Sequence, residues 1–171
     1  YQDALKGHTR YTNMYGDIEL RDEIRKFYKD EYDLDIAPDE VIVTTSGLIA
    51  MYMALQAILD EGDEVIIQSP FFTPYTAQVE MARGIPVELD TYEEEDFQIN
   101  IDRLKSLITP RTRALIINTP SNPTGSCLSA DTLGEIAKIA EEEDPIVIAD
   151  DIYTSYSFQK HSIPFMSMPG M

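Results

Sequence analysis

The sequence predicts an α/β fold, three layers with helices on both faces of a mostly parallel sheet, and two observations predict it. Short apolar runs rich in β-branched residues recur at residues 41–45, 65–68, 86–89, 114–118 and 146–149. Strands buried on both faces of a parallel sheet have this continuous apolar character, whereas half-exposed strands alternate. Stretches at helical spacing lie between runs: Leu48, Met51, Tyr52, Leu55 and Leu59 follow the first, and Leu133, Ile136, Ala137 and Ala140 follow the fourth. Such alternation argues for strand-helix-strand units.

Taken in order, the first element is an amphipathic helix marked by Leu20, Ile24, Phe27 and Tyr28, with Asp17 placed to cap its first amides. The 41–45 run then reads as a strand leading through Thr44-Thr45-Ser46-Gly47-Leu48 into the next helix. Ser129 is placed to cap the helix that carries Leu133 and Ile136. With 171 residues and 43% hydrophobic content, the chain can bury one core, so a single domain over 1–171 is expected.

Charge and composition narrow the function classes. There are 31 Asp and Glu against 13 Lys and Arg, a formal net charge of −18, which repels phosphate backbones and speaks against nucleic acid as a partner. The acidic clusters at 30–31, 93–96 and 141–144 lack calcium-loop spacing and nearby histidine, so they read as solvated surface and no metal site is expected. One cysteine, Cys127, forms no internal disulfide, which fits a reducing cytoplasm. No apolar run approaches the ~20 residues that cross a bilayer, so no membrane partner is expected. Tyr1-Gln2-Asp3 is no initiation sequence, and an earlier start is expected.

Three loops carry unusual residues, and ligands in this architecture gather at the carboxyl ends of parallel strands. In Ser46-Gly47-Leu48, Gly47 permits a tight turn, and amides at a helix start attract an anion such as phosphate. A glycine at a strand-helix turn also serves the turn alone. In Asn118-Thr119-Pro120-Ser121-Asn122-Pro123-Thr124-Gly125, two prolines and a glycine hold the backbone around Asn122 and present its amide to a ligand oxygen. The alternative is a proline-rich turn with an Asx-type bond. In Ile148-Ala149-Asp150-Asp151-Ile152-Tyr153, a carboxylate closes an apolar strand and calls for a cationic partner such as a protonated heterocyclic nitrogen. Otherwise Asp150 is a helix cap and Tyr153 an edge aromatic.

Together these residues resemble the aspartate-aminotransferase superfamily of pyridoxal-5′-phosphate enzymes, the class I/II aminotransferases. The resemblance rests on Asn122-Pro123-Thr124-Gly125, on Asp150 with Tyr153 three residues on, and on Ser46-Gly47 upstream. Tyr11, Gly16, Leu20-Arg21, Gly62-Asp63-Glu64-Val65 and Ser69-Pro70-Phe71-Phe72-Thr73-Pro74-Tyr75 extend it over nearly the whole chain.

The resemblance implies part of the cofactor-binding large domain of a pyridoxal-phosphate-dependent transferase, truncated, with the family's small domain outside residues 1–171. It implies that Ser46 and the amides of Gly47 and Leu48 hold the cofactor phosphate. Leu48 stands where a polar residue is frequent. Phe72 would lie on the pyridine ring, Asn122 and Tyr153 would bond its phenolic oxygen, and Asp150 would pair with the ring nitrogen. Tyr11 would reach the phosphate of a neighbouring subunit in a homodimer.

The family's lysine, which forms the internal Schiff base from a serine-rich motif, has no match here. Lys160 in Phe158-Gln159-Lys160-His161 lies too near Asp150 and reads as a surface residue. No catalytic residue is therefore expected in this chain, which should be inactive alone. The implied activity of the parent is amino-group transfer between an amino acid and a 2-oxo acid, in the cytoplasm. Carbon-sulfur lyases, decarboxylases and cyclising enzymes share the scaffold, as do cofactor-sensing domains of transcription regulators. The resemblance also implies two strands, drawn from later sequence, between the 41–45 and 114–118 strands. An open edge on 114–118 is then expected, repaired by the 41–45 strand or by a second copy of the chain.

Overall fold

The computed structural model describes residues 1–158 and 162–171, so Lys160 lies outside the described residues. The chain divides into two compact units, Tyr1–Ala50 and Met51–Met171.

The first unit contains a short helix α1 (Gln2–Leu5), the longer α2 (Ile18–Tyr32) and a 3₁₀ turn at Pro38–Glu40. The helix expected from Leu20, Ile24, Phe27 and Tyr28 is present, but none of its residues is buried. What tethers it is polar: Arg21 Nε donates to the Val41 carbonyl at 2.9 Å, and Arg25 Nε to the Ile36 carbonyl at 2.7 Å. Asp17 occupies the N-cap position, yet its carboxylate makes no capping bond, contrary to the sequence expectation. The 41–45 strand also fails to form. Val41 is extended, with φ −113° and ψ 121°, and the Val43 amide donates to the Tyr15 carbonyl at 2.9 Å, but no ladder develops. An extended β-branched segment becomes a strand only beside another strand, and none of the described strands pairs with it.

The second unit is the expected layered structure. Its strands are β1 (Glu64–Ser69), β2 (Ile85–Asp90), β3 (Thr112–Asn118) and β4 (Ile146–Asp150), all parallel, in the order β2-β1-β3-β4. Helices α3 (Gly47–Ile58), α4 (Pro74–Met81), α5 (Ile101–Leu107) and α6 (Ala130–Glu143) complete the fold, the boundary between the units falling within α3. One sheet face, with Val65, Ile67, Ala114 and Ile116, packs on Leu55 of α3 and on Tyr75 and Val79 of α4. The other, with Ile66, Leu115 and Ile117, packs on Leu104 of α5, on Leu133 and Ile136 of α6, and on Phe165. Successive side chains on a strand point to opposite faces, which is why both neighbours in each pair are apolar. Ser129 caps α6 as expected, its Oγ accepting from the Thr132 amide at 3.0 Å.

This order corrects one expectation. The 114–118 strand has no open edge, because β1 pairs with one side of β3 and β4 with the other. The chain runs outward from β1 to β2, then returns across β1 to lay down β3 and β4. The outer edges are those of β2 and β4.

Polar groups close the amino ends of the strands. Glu64 is 5% exposed, and its carboxylate accepts from Thr109 Oγ1 at 2.6 Å and Arg111 Nε at 2.9 Å. The Thr109 hydroxyl and the Arg111 guanidinium hold its carboxyl below the ordinary carboxylate range. A buried acid paired in this way avoids the cost of an isolated charge.

Candidate functional site

At the opposite ends of the strands the sequence changes from apolar to polar within one residue, and register decides what meets there. Asn118 ends β3 and Asp150 ends β4, and the two are direct partners in the parallel ladder. Asn118 is 6% exposed and uses both ends of its amide: Nδ2 donates to the Asp150 carbonyl at 2.7 Å, and Oδ1 accepts from the Asn122 amide at 2.7 Å. One buried side chain therefore ties the Asn122 loop to the end of β4. A buried amide satisfied on both sides is costly to disturb.

The loop after β3 turns back on itself. The Ser121 amide donates to the Ser126 carbonyl and the Gly125 amide to the Ser121 carbonyl, each at 2.8 Å. Gly125 has φ +72°, a left-handed backbone that glycine adopts freely and side-chain-bearing residues resist. The loop is fixed by its own backbone bonds, while the Asn122 side-chain amide has no bond among the described residues and remains available.

Asp150 is held from a third direction. The Tyr75 hydroxyl donates to its Oδ2 at 2.6 Å, and the Ile152 amide makes a longer 3.3 Å bond to Oδ1. Tyr75 is 3% exposed. Its burial, and then the Asp150 carboxylate, push the phenol above its ordinary range, so it stays protonated and acts as donor. Phe72, partly buried, meets the Tyr75 ring edge-on, with centroids 5.8 Å apart and planes at 82°. Tyr153 is half-buried and lies edge-on to Tyr156, with centroids 6.5 Å apart. Beside it Asp151 has a buried Oδ1 with no hydrogen-bond partner among the described residues, and burial, then the Asp150 charge, push its carboxyl up to about 6.

Four expected site residues, Phe72, Asn122, Asp150 and Tyr153, thus lie in the second unit, where Asn118 links Asn122 to Asp150 and Tyr75 links Phe72 to Asp150. An open cavity of about 1200 Å³ is lined by Asn122 and Tyr153, but by neither Phe72 nor Asp150, so it is not a space common to all four.

Tyr11, Ser46, Gly47 and Leu48 belong to the first unit. Tyr11 is fully exposed. Ser46 closes the start of α3, its Oγ accepting from the Ile49 amide at 3.2 Å and its carbonyl from the Ala50 amide at 3.0 Å. Gly47 is the first helical residue rather than a strained turn: it is not among the positive-φ glycines, and a Cβ there would meet nothing within 4 Å. The backbone does not need glycine at this position, which corrects the tight-turn reading. The space in front of it is open.

Sequence reasoning assigned no role to Asn118, Tyr75 or Asp151. A polar residue ending an apolar strand was a signal for Asn118. Nothing local marks Tyr75, whose partner lies 75 residues away.

The family model described as aminotransferase class I and II matches residues 2–168. The chain belongs to that family. Among its class I and II relatives, it is 41% identical over 158 residues to the aspartate aminotransferase of Geobacillus stearothermophilus, covering 91% of this chain and 40% of that protein. It is 40% identical over 148 residues to the aspartate/prephenate aminotransferase of Thermus thermophilus, covering 86% of this chain and 38% of that one. Among solved structures, the Thermus thermophilus aspartate aminotransferase with maleate superposes with a TM-score of 0.93 at 36% identity, over 97% of this chain and 44% of that chain. The aromatic aminotransferase of Pyrococcus horikoshii gives 0.94 at 40% identity, over 99% and 46%. The chain therefore spans less than half the length of these aminotransferases. Among the described residues no helix is long and apolar enough to cross a membrane, and no group of His, Cys, Asp and Glu could hold a metal ion.

Proposed function

We propose that this chain is the cofactor-binding part of a pyridoxal-5′-phosphate-dependent aminotransferase, which moves an amino group between an amino acid and a 2-oxo acid as a cytoplasmic homodimer. The observation that carries this reading is Asp150. Its carboxylate ends an apolar strand, is held at Oδ2 by a buried hydroxyl, and keeps Oδ1 with acceptor capacity to spare. Such a group suits a protonated ring nitrogen, and the Asn122 side-chain amide, unpaired among the described residues, and the partly buried Phe72 ring suit the rest of the cofactor ring.

In this reading Asp150 holds the proton on the ring nitrogen, Phe72 covers one ring face, and Asn122 and Tyr153 donate to the phenolic oxygen. Ser46 with the Gly47 and Leu48 amides receives the phosphate at the start of α3, where the helix dipole favours an anion. Tyr11 donates to the phosphate held by the other subunit. When bound, pyridoxal phosphate supplies an electron sink for the charge that develops at the substrate α-carbon. The two substrates are recognised by their shared carboxylate and their amino or oxo group.

Titrating the 171-residue chain with pyridoxal phosphate tests the reading. Weak, saturable binding that falls in Asp150→Ala is expected, and borohydride reduction followed by mass spectrometry should leave no lysine modified at near-stoichiometric yield. Binding unaffected by Asp150→Ala would refute the assignment of Asp150. A stoichiometric adduct on a lysine of this chain would refute the non-covalent mode.

A further inference from the structure

Resting on the reading that Asp150 faces a protonated ring nitrogen, we propose that Tyr75 is the positioning residue for that pairing: its buried hydroxyl sets the orientation of the Asp150 carboxylate.

The geometry has three parts. First, the hydroxyl cannot wander. The Tyr75 ring is 3% exposed within the apolar layer formed with Leu55, Val65, Ile67 and Val79, and the Tyr75 amide donates to the Phe72 carbonyl at 3.1 Å at the start of α4. Second, the direction of the bond is settled, because a phenol buried beside a carboxylate keeps its proton; Tyr75 donates and Oδ2 accepts, at 2.6 Å. Third, the backbone of Asp150 is fixed independently by Asn118 Nδ2 on its carbonyl. With backbone and Oδ2 both held, the carboxylate has one remaining orientation, and among the described residues only the longer 3.3 Å bond from the Ile152 amide engages Oδ1.

Two consequences follow for a pyridinium partner. A carboxylate prevented from rotating keeps its charge aimed at the ring nitrogen without losing rotational freedom on binding. A carboxylate held in place also keeps its opposite charge close to the pyridinium, which favours the protonated ring nitrogen. Tyr75 also meets Phe72 edge-on, so one side chain supports both the acid and the ring-covering aromatic. A purely packing role would use the aromatic body alone and leave the hydroxyl unexploited.

The test uses pyridoxamine 5′-phosphate labelled with ¹⁵N in its ring, which has no aldehyde to condense with lysines. Its affinity and the ring ¹⁵N shift are measured on the 171-residue chain and on Tyr75→Phe, Asp150→Asn and the double variant. Tyr75→Phe should bind about tenfold more weakly, with the ¹⁵N signal moved from pyridinium towards neutral pyridine. In the Asp150→Asn background the same change should have no further effect. If Asp150→Asn alters the signal while Tyr75→Phe leaves it unchanged and affinity within about twofold, the role of Tyr75 is overturned and that of Asp150 stands. If the bound probe ignores Asp150→Asn, the underlying reading fails and takes this inference with it. Should Tyr75→Phe lose the far-UV circular dichroism of the folded chain, replacing Tyr75 by 3,5-difluorotyrosine decides the matter. Its more acidic phenol donates more strongly and should hold the carboxylate more firmly towards the ring nitrogen, so the probe should bind more tightly, and unchanged affinity overturns the proposal.

Discussion

Replacing Asp151 by Asn should stabilise the protein, and by an amount that depends on pH. Asp151 has a buried Oδ1 without a hydrogen-bond partner among the described residues and carries its charge next to Asp150, so its carboxyl rises from the ordinary 3.8 to about 6. Between those two values the folded protein holds a proton that the unfolded chain has released. Stability must then fall as pH rises through that interval, and the cost is complete above about pH 6. At about 1.36 kcal/mol per pH unit the full effect is about 3 kcal/mol, an upper limit because the residue keeps some contact with water.

Asn has the same shape and no charge, so Asp151→Asn should be about 1–3 kcal/mol more stable at pH 8, and the gain should shrink to about a third of that by pH 4.5. In a chain of this size the pH 8 gain corresponds to about 2–10 °C in Tm. Urea unfolding of both proteins at each pH measures it, and the other acidic residues, common to both, cancel in the difference. Equal stability at pH 8, or a difference that grows towards acid, would show that Asp151 finds solvation or a partner that the structure does not give it.

Asn118→Ala should lower stability by about 2–4 kcal/mol in urea unfolding, since it leaves both the Asn122 amide and the Asp150 carbonyl without their partner; a loss below about 0.5 kcal/mol would mean that water replaces both bonds. Leu55→Ala, at a fully buried position beneath the sheet, should lower stability by about 2–5 kcal/mol by the same assay. A smaller loss would indicate that α3 collapses onto the gap.

The layered parallel fold was legible because its signal is local. Runs such as 65–68 and 114–118 are apolar over consecutive residues, and a strand buried on both faces has no other way to look. The Asn122 loop was legible for a related reason: prolines restrict the backbone whatever surrounds them, and a glycine permits the left-handed turn at Gly125. The 41–45 segment carried the same letters as a strand and did not become one, since a strand is completed by a neighbour and no residue in the segment states whether a neighbour is present. α2 shows the reverse, an apolar stripe with no buried residue, held by arginine-to-carbonyl bonds that leave no periodic trace.

The sequence by itself determined the fold class and the family, and nominated candidate site residues, because these rest on patterns that span a few positions. Only the tertiary structure decided the strand order β2-β1-β3-β4, and with it which edges are outermost. It also decided that Asn118 sits opposite Asp150 and that Tyr75 reaches its carboxylate. Those contacts join residues 32 and 75 positions apart. Their formation depends on register and on the packing of α4 against the sheet, free-energy terms shared among many side chains and written into no single one.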